Sequence, residues 1–168
     1  MTELVHDPVR RQRLRFSREG EILHAEVWAD PGGDVPAHYH PSQEERFEVL
    51  AGQVRFLVDG KRIDGGPGTR VVAPAGAKHA FLNTGKSEAH LRVRVEPALR
   101  LQGFLEEAAA LARAGAYTRR GIPKRPAAVA QLADLMSRYA DVTVMSFPPR
   151  VIQRLLLQPL ARLRRRRA

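Results

Sequence analysis

The chain has 168 residues and contains no cysteine. The absence of cysteine excludes disulfides, thiolate nucleophiles and metal sites with cysteine ligands. No stretch approaches the run of about 18 apolar residues that a membrane-spanning helix needs, so we expect none. The first twelve residues are polar and contain Pro8. We therefore expect no secretory signal and a cytoplasmic location.

Acidic residues are scarce in the last third of the chain. Residues 101–168 hold 13 Lys and Arg but only 4 Asp and Glu, whereas residues 1–100 hold 15 and 14. The formal net charge of +10 therefore comes almost wholly from the C-terminal part. The nearly neutral N-terminal part gives no indication of nucleic-acid binding.

Short strand patterns separated by turn residues dominate the first hundred residues. Residues 21–29 and 89–95 alternate apolar and polar side chains, which is typical of strands with one buried face. Asp59-Gly60 lies between two further strands and predicts a tight hairpin. Many short strands at close spacing predict a barrel or a sandwich. Residues 13–16 are predicted as an exposed edge strand.

A pair of histidines is the strongest chemical feature of this region. His38 and His40 are two residues apart, so on a strand both imidazoles face the same side. Residues 41–43, Pro-Ser-Gln, predict a turn, and Glu44 and Glu45 begin the strand that follows. A hairpin would bring one of these carboxylates beside the imidazoles. Such a group suits a divalent transition metal with positions left open for a substrate.

The spacing of these residues, together with a second segment downstream, resembles the two motifs of the cupin superfamily. The first motif comprises Gly32, His38, His40, Glu45 and Gly52, and the second comprises Gly68, Pro74, Gly76, His79 and Asn83. Every fixed position is filled, in the right order. The resemblance implies a mainly β fold, a double-stranded β-helix or jelly-roll barrel, over residues 13–96. Residues 97–168 would form a basic helical C-terminal extension.

The resemblance also implies one divalent metal ion inside the barrel. The matching ligands are His38, His40, Glu45 and His79. Strand alternation weakly supports Glu45 over Glu44, because Glu45 shares a face with Phe47 and Val49. Fe, Mn, Ni, Zn and Cu all stay open as the metal.

Other residues near the predicted ligands have two interpretations, as barrel core or as walls of a substrate pocket. Both roles are compatible, because ligand pockets are mostly apolar. The apolar candidates are Phe47, Val49, Phe56 and Phe81. Asn83 closes the second motif and either contributes to the pocket or fixes a turn. Three histidines outside the motifs, His6, His24 and His90, are interpreted as surface residues.

After Pro97 the apolar residues recur at helical spacing. Two such stripes cover residues 101–112 and 129–139, with a basic linker rich in Pro and Gly between them. Residues 151–163 are rich in Leu, and four consecutive Arg follow them. We interpret this basic end first as a solvated terminus. A membrane-surface helix and contact with nucleic-acid phosphates are weaker alternatives.

Two functions from different classes stay open. The first is a metal-dependent enzyme acting on a small organic molecule in the barrel, dioxygenase-like with a redox metal or isomerase-like with a Lewis-acid metal. The second is a non-catalytic module that binds or senses a small ligand and acts on a partner through its basic tail.

Two further expectations concern the whole chain. We expect a homodimer, because a jelly roll leaves edge strands exposed. All predicted ligands precede residue 97, so we also expect a chain that ends at Gly121 to keep its metal and to lose stability.

Overall fold

The computed structural model describes residues 3–146 of the chain. The Leu-rich segment and the arginine cluster that follows it lie outside the described residues, and so do the membrane and nucleic-acid interpretations attached to them. No helix in the described part is long and apolar enough to cross a membrane.

The described chain folds into eleven strands and two helices. In chain order they are β1 Val5–Asp7, β2 Gln12–Glu19, β3 Ile22–Ala29, β4 Asp34–Tyr39, β5 Glu44–Ala51, β6 Val54–Val58, β7 Lys61–Gly65, β8 Arg70–Ala73, β9 His79–Asn83, β10 Ala89–Glu96, α1 Leu101–Arg113, α2 Pro126–Arg138 and β11 Val144–Met145.

The strands form two antiparallel sheets. One sheet has the order β1-β2-β3-β10-β5-β8, and the other has the order β11-β4-β9-β6-β7. The alternation expected along β3 and β10 is present, with every second side chain buried. The predicted hairpin joins β6 to β7, and both Asp59 and Gly60 have the positive φ that a tight hairpin turn requires. The mainly β jelly roll with a helical C-terminal part is confirmed.

The prediction that residues 13–16 form an edge strand is wrong for its first half. They belong to β2, in which Arg13 and Leu14 pair with both β1 and β3, whereas Arg15 and Phe16 pair with β3 beyond the last residue that pairs with β1. The strand that covers this edge, β1, has only three residues, too few to show a period of two. The homodimer was argued from that edge, and it stays a prediction.

The helical extension packs into the same hydrophobic core as the sheets. Leu135 and Val142 are 1% and 0% exposed and join the buried cluster formed by the strands. Helix α1 lies against β1 at the edge of one sheet, and β11 pairs with β4 in the other sheet. Residues 97–146 therefore contact an edge of each sheet. The boundary between two domains near residue 97 stays a prediction.

Candidate metal centre

Three strands and the loop after one of them bring the four predicted ligands together. His38 lies on β4 and is the register partner of His79, the first residue of β9. His40 follows one residue after β4 ends, and Glu45 lies near the start of β5. Each of the four residues offers one possible ligand atom, and these four atoms all lie within 4.8 Å of one another. The structure therefore assembles the predicted set, with Glu45 in it. Glu44 instead bonds Arg46 at the surface.

Each histidine is oriented by a backbone carbonyl. His38 Nδ1 lies 2.9 Å from the carbonyl oxygen of Pro36, and His79 Nδ1 lies 2.9 Å from that of Ala77. The partner of His40 is more distant in sequence, because its Nδ1 lies 2.8 Å from the carbonyl oxygen of Val142. A carbonyl accepts a proton, so each Nδ1 carries the hydrogen and each Nε2 keeps its lone pair for a metal.

The carboxylate of Glu45 faces two of these lone pairs. Its Oε2 atom lies 2.8 Å from Nε2 of His79 and 3.2 Å from Nε2 of His40. Two nitrogen lone pairs and a carboxylate oxygen repel one another unless a cation lies among them. Three imidazoles and one carboxylate are the donors that Fe, Mn, Ni, Zn and Cu accept. These residues thus fit a divalent transition-metal ion.

The pKa shifts of these residues also fit a site for a cation. Burial, followed by the nearby charges of His79 and His40, lowers the pKa of His38 to about 3. Burial opposes the ionisation of Glu45, but contact with His40 and His79 outweighs it and holds the pKa of its carboxyl well below the usual range. Burial also opposes a charge on His79, but contact with Glu45 raises the pKa of its imidazole. Both shifts reflect the attraction between the Glu45 carboxylate and positive charge at this place.

The four ligands lie in the wall of a cavity of about 670 Å³ inside the barrel. Most of its remaining wall is apolar and comes from both sheets and from the helical extension. The apolar side chains that line it are Leu14, Leu23, Ala25, Val27, Val35, Phe47, Phe81, Val93, Val95, Leu101, Phe104, Leu105, Ala108, Leu132, Leu135 and Met136. A small organic molecule in this cavity would contact the metal centre, mainly apolar side chains, and polar wall residues such as Thr143 and Ser146.

Only part of the predicted pocket lines this cavity. Phe47 and Phe81 contribute to its wall, as expected. Val49 and Phe56 do not: they are 0% and 1% exposed and pack in the core outside the cavity. They lie further from the ligands along their strands, so sharing a strand face with Glu45 was not enough to place Val49 at the cavity.

Asn83 has a structural role instead of a place in the cavity wall. Its amide nitrogen donates to the carbonyl oxygens of Ala29, at 2.8 Å, and Ser87, at 2.9 Å. Its side-chain oxygen accepts from the backbone N–H of Gly85 at 2.8 Å. Asn83 therefore fixes the turn after β9 against the end of β3.

The histidines outside the motifs lie on the outer side of the larger sheet or near its edge strand. His24 and His90 are half-buried there, and the ring of His90 stacks on Trp28 with centroids 4.8 Å apart. They take no part in the metal centre, as the sequence indicated.

The sequence did not predict what the extension adds to the site. A backbone carbonyl such as that of Val142 has no side-chain identity, so no pattern could mark it as a partner of His40. The wall residues of α1 and α2 were partly predictable, since their apolar helical stripes have to be buried against another surface. Nothing in the stripes indicated that they would line the cavity of the barrel.

Comparison with known families agrees with the fold. The profile of the cupin domain family matches residues 26–95, a segment that contains all four predicted ligands. This part of the chain is therefore similar to the cupin domain, as the two motifs indicated. No curated protein sequence matches the chain.

Solved structures of several cupins share the barrel. An RmlC-like cupin from Shewanella frigidimarina is 20% identical with a TM-score of 0.54, and the alignment covers 60% of this chain and 88% of that one. KdgF from Halomonas sp. is 16% identical with a TM-score of 0.51, covering 57% and 86%. The cupin domain of Cnp3 from Schizosaccharomyces pombe is 15% identical with a TM-score of 0.51, covering 57% and 69%. At these identities the similarity concerns the fold alone.

Proposed function

We propose that this protein is a metal-dependent enzyme that acts on a small, largely apolar organic molecule inside the barrel. One observation carries the proposal: four ligand atoms within 4.8 Å of one another lie in the wall of a mainly apolar cavity of about 670 Å³. A metal with open coordination positions at such a wall lies within reach of a bound molecule.

His38, His40, Glu45 and His79 would hold the ion. When bound, Fe, Mn, Ni or Cu would supply redox chemistry of the dioxygenase kind, and Zn or Mn would supply Lewis-acid chemistry of the isomerase kind. Phe47 and Phe81 line this end of the cavity and present apolar surface there. Glu45 is the carboxylate of the cavity wall that lies at the metal centre, and it could accept a proton from a bound molecule by detaching from the ion.

A non-catalytic sensor is the second candidate, and one observation favours it. Phe104, Leu105 and Met136 of the extension line the cavity, so a bound molecule contacts the part of the chain that leads to the basic tail. Oxygen uptake and product analysis with the metal-loaded protein distinguish the two. Turnover of any organic substrate supports the enzyme, whereas a tightly bound organic molecule that is never converted supports the sensor.

The metal centre is tested by measuring metal content after loading with Mn, Fe, Ni or Zn. We expect about one ion per wild-type chain, and a loss of at least about tenfold in affinity for Glu45→Gln, which removes an anionic ligand. Glu44→Gln is the matched control, because the neighbouring carboxylate bonds Arg46 at the surface. Equal metal content in both variants, or none in the wild type, would contradict the proposal.

A further inference from the structure

The cavity extends far beyond the metal centre along the larger sheet. Glu45 is the register partner of Val95, which in turn pairs with Leu23. Gln12, at the start of β2, pairs with Ala29 of the same β3 strand. Leu23 and Ala29 are six positions apart, a distance of about 20 Å along a strand. Because Glu45 and Gln12 both line the cavity, it is elongated, with the metal centre towards one end.

The middle of the cavity offers only apolar contacts. Leu14, Ala25, Val27 and Val93 form its wall on the sheet, and Leu105 and Ala108 of α1 also line it. A molecule that fills it from end to end therefore needs an apolar body.

The far end contains two buried polar atoms without partners. Gln12 is 5% exposed, and its side-chain oxygen has no hydrogen-bond partner among residues 3–146. The hydroxyl of Tyr117 is buried and equally unpaired within the described chain. Both residues line the cavity. Buried polar atoms are nearly always hydrogen-bonded in native proteins, so a ligand group that reaches these two atoms would satisfy both of them.

The two groups lie on parts of the chain that contact each other. Asp7 lies directly opposite Gln12 in the pairing of β1 with β2. Tyr117 follows α1, which packs against β1 and whose Arg113 guanidinium donates to the carbonyl oxygen of His6. Burial, followed by the negative charge of Asp7, raises the pKa of the Tyr117 hydroxyl. Asp7 itself is engaged, because its Oδ1 accepts the backbone N–H groups of Val9 and Arg10 at 2.9 Å each. Gln12 and Tyr117 are thus left to bind a ligand.

The two unpaired groups are complementary to a hydroxyl. The oxygen of Gln12 accepts a proton, and the hydroxyl of Tyr117 donates one, whereas a ligand hydroxyl both donates and accepts. We propose that Gln12 and Tyr117 form a second subsite, and that the cavity binds an elongated apolar molecule carrying a hydroxyl at this end and a metal-binding group at the other. This inference rests on the proposed metal centre.

A charged ligand group suits this end less well. Arg10 also lines the cavity, but its guanidinium lies 3.5 Å from the carboxylate of Asp34. Asp7 places a further negative charge beside the subsite, and Arg120 also lines the cavity here. Two guanidinium groups thus balance two carboxylates, and a neutral hydroxyl fits this balanced charge better than a second carboxylate on the ligand.

The probes are ω-hydroxy carboxylic acids, from ω-hydroxyoctanoic to ω-hydroxyhexadecanoic acid, and the matching acids without the hydroxyl. Their affinities are measured by calorimetry on the full chain loaded with Mn²⁺. At the best length we expect the hydroxy acid to bind about three- to tenfold more tightly than its parent, as one hydrogen bond allows. Gln12→Leu and Tyr117→Phe should abolish that preference. Gln102→Leu should keep it, because the half-buried amide of Gln102 on α1 does not line the cavity.

The outcomes separate this inference from the metal centre. Wild-type protein that takes up no Mn²⁺ refutes the proposed function itself. Protein that takes up Mn²⁺ but binds hydroxy acid and parent acid equally, or binds neither, overturns the subsite and leaves the metal centre standing. Tightest binding of the α,ω-dicarboxylic acid would also overturn it. Melting temperatures give a second check: both substitutions should leave them unchanged or higher, and a large drop in both would show that the polar atoms have partners within the protein.

Discussion

At the scale of single residues, Gln43 ties the metal centre to the start of the extension. Gln43 is 0% exposed and lies in the turn between two ligands, His40 and Glu45. Its amide nitrogen donates to the carbonyl oxygens of Pro97, at 2.9 Å, and Ala98, at 3.1 Å. The turn that spaces the two ligands is therefore held by the segment that follows the last long strand.

Substitution of this glutamine should reduce stability. Gln43→Leu leaves two buried carbonyl groups without a donor, so we expect the free energy of unfolding to fall by about 1–3 kcal/mol. Urea denaturation of the metal-free protein measures the change. Gln102→Leu removes one exposed hydrogen bond, to Glu106, and should change stability much less. Similar losses of unfolding free energy in the two variants would mean that the hydrogen bonds of Gln43 stabilise the fold no more than an exposed one.

The limits of prediction at this scale follow from what a sequence records. Motif spacing selected the four residues that the fold brings together and separated Glu45 from Glu44, because spacing along strands fixes which side chains face inward. The orienting carbonyl of Val142 lies 102 residues from His40, and any residue type supplies such a carbonyl. The orphaned oxygen of Gln12 was also hidden, since only the folded barrel shows that nothing bonds it.

At the scale of elements, a single carboxylate joins the two helices of the extension. Glu107 on α1 accepts hydrogen bonds from the Arg138 guanidinium, at 3.1 and 2.6 Å, and from the Tyr139 hydroxyl, at 2.7 Å. The Arg138 contact is the main reason that the pKa of Glu107 lies below its ordinary value. Helices α1 and α2 thus keep one relative position, and both supply cavity wall.

Removal of this charge should have a pH-dependent effect. A lowered carboxyl pKa in the folded state adds stability above the ordinary value of 4.5, and that stability is lost as the pH falls through the lower folded pKa. We expect Glu107→Gln to lower the free energy of unfolding at pH 7 by about 1 kcal/mol, since the group is partly exposed. Denaturation curves at several pH values should show the difference shrinking below the ordinary pKa. Glu106→Gln is the control, and a pH-independent difference would contradict the assignment.

Long elements were predicted better than short ones. Strands such as β3 and β10 have eight residues each, enough for alternation to be seen, and the helical stripes marked α1 and α2. Strands β1 and β11 have three and two residues, and tertiary pairing alone defines them. Both lie at sheet edges, which is why the edge of the larger sheet was misplaced.

At the scale of the whole molecule, the extension is part of the site and does more than cover an outer surface. It supplies the carbonyl that orients His40, and its helices line the cavity. The sequence-based expectation treated the segment after residue 97 as separable, because none of the ligands lies in it. The contacts now lead to a different expectation for a shortened chain.

A chain that ends at Gly121 should bind metal more weakly than the full chain. It loses α2, the buried side chains of Leu135 and Val142, and the carbonyl that fixes His40. Loss of a group that orients a metal ligand typically lowers metal affinity about 10- to 100-fold. Metal titration measures this, with circular dichroism to establish that the shortened chain is folded.

Two further chains make the comparison specific. A chain that ends at Ser146 keeps every described element, so it should match the full chain in affinity. The full-length variant Val144→Asp places a charge at a position 5% exposed on β11, which loosens the strand next to the carbonyl without touching a ligand. It should reproduce much of the loss. A folded chain ending at Gly121 with undiminished metal affinity would show that the barrel alone positions His40. The extension would then contribute to the cavity wall and not to metal binding.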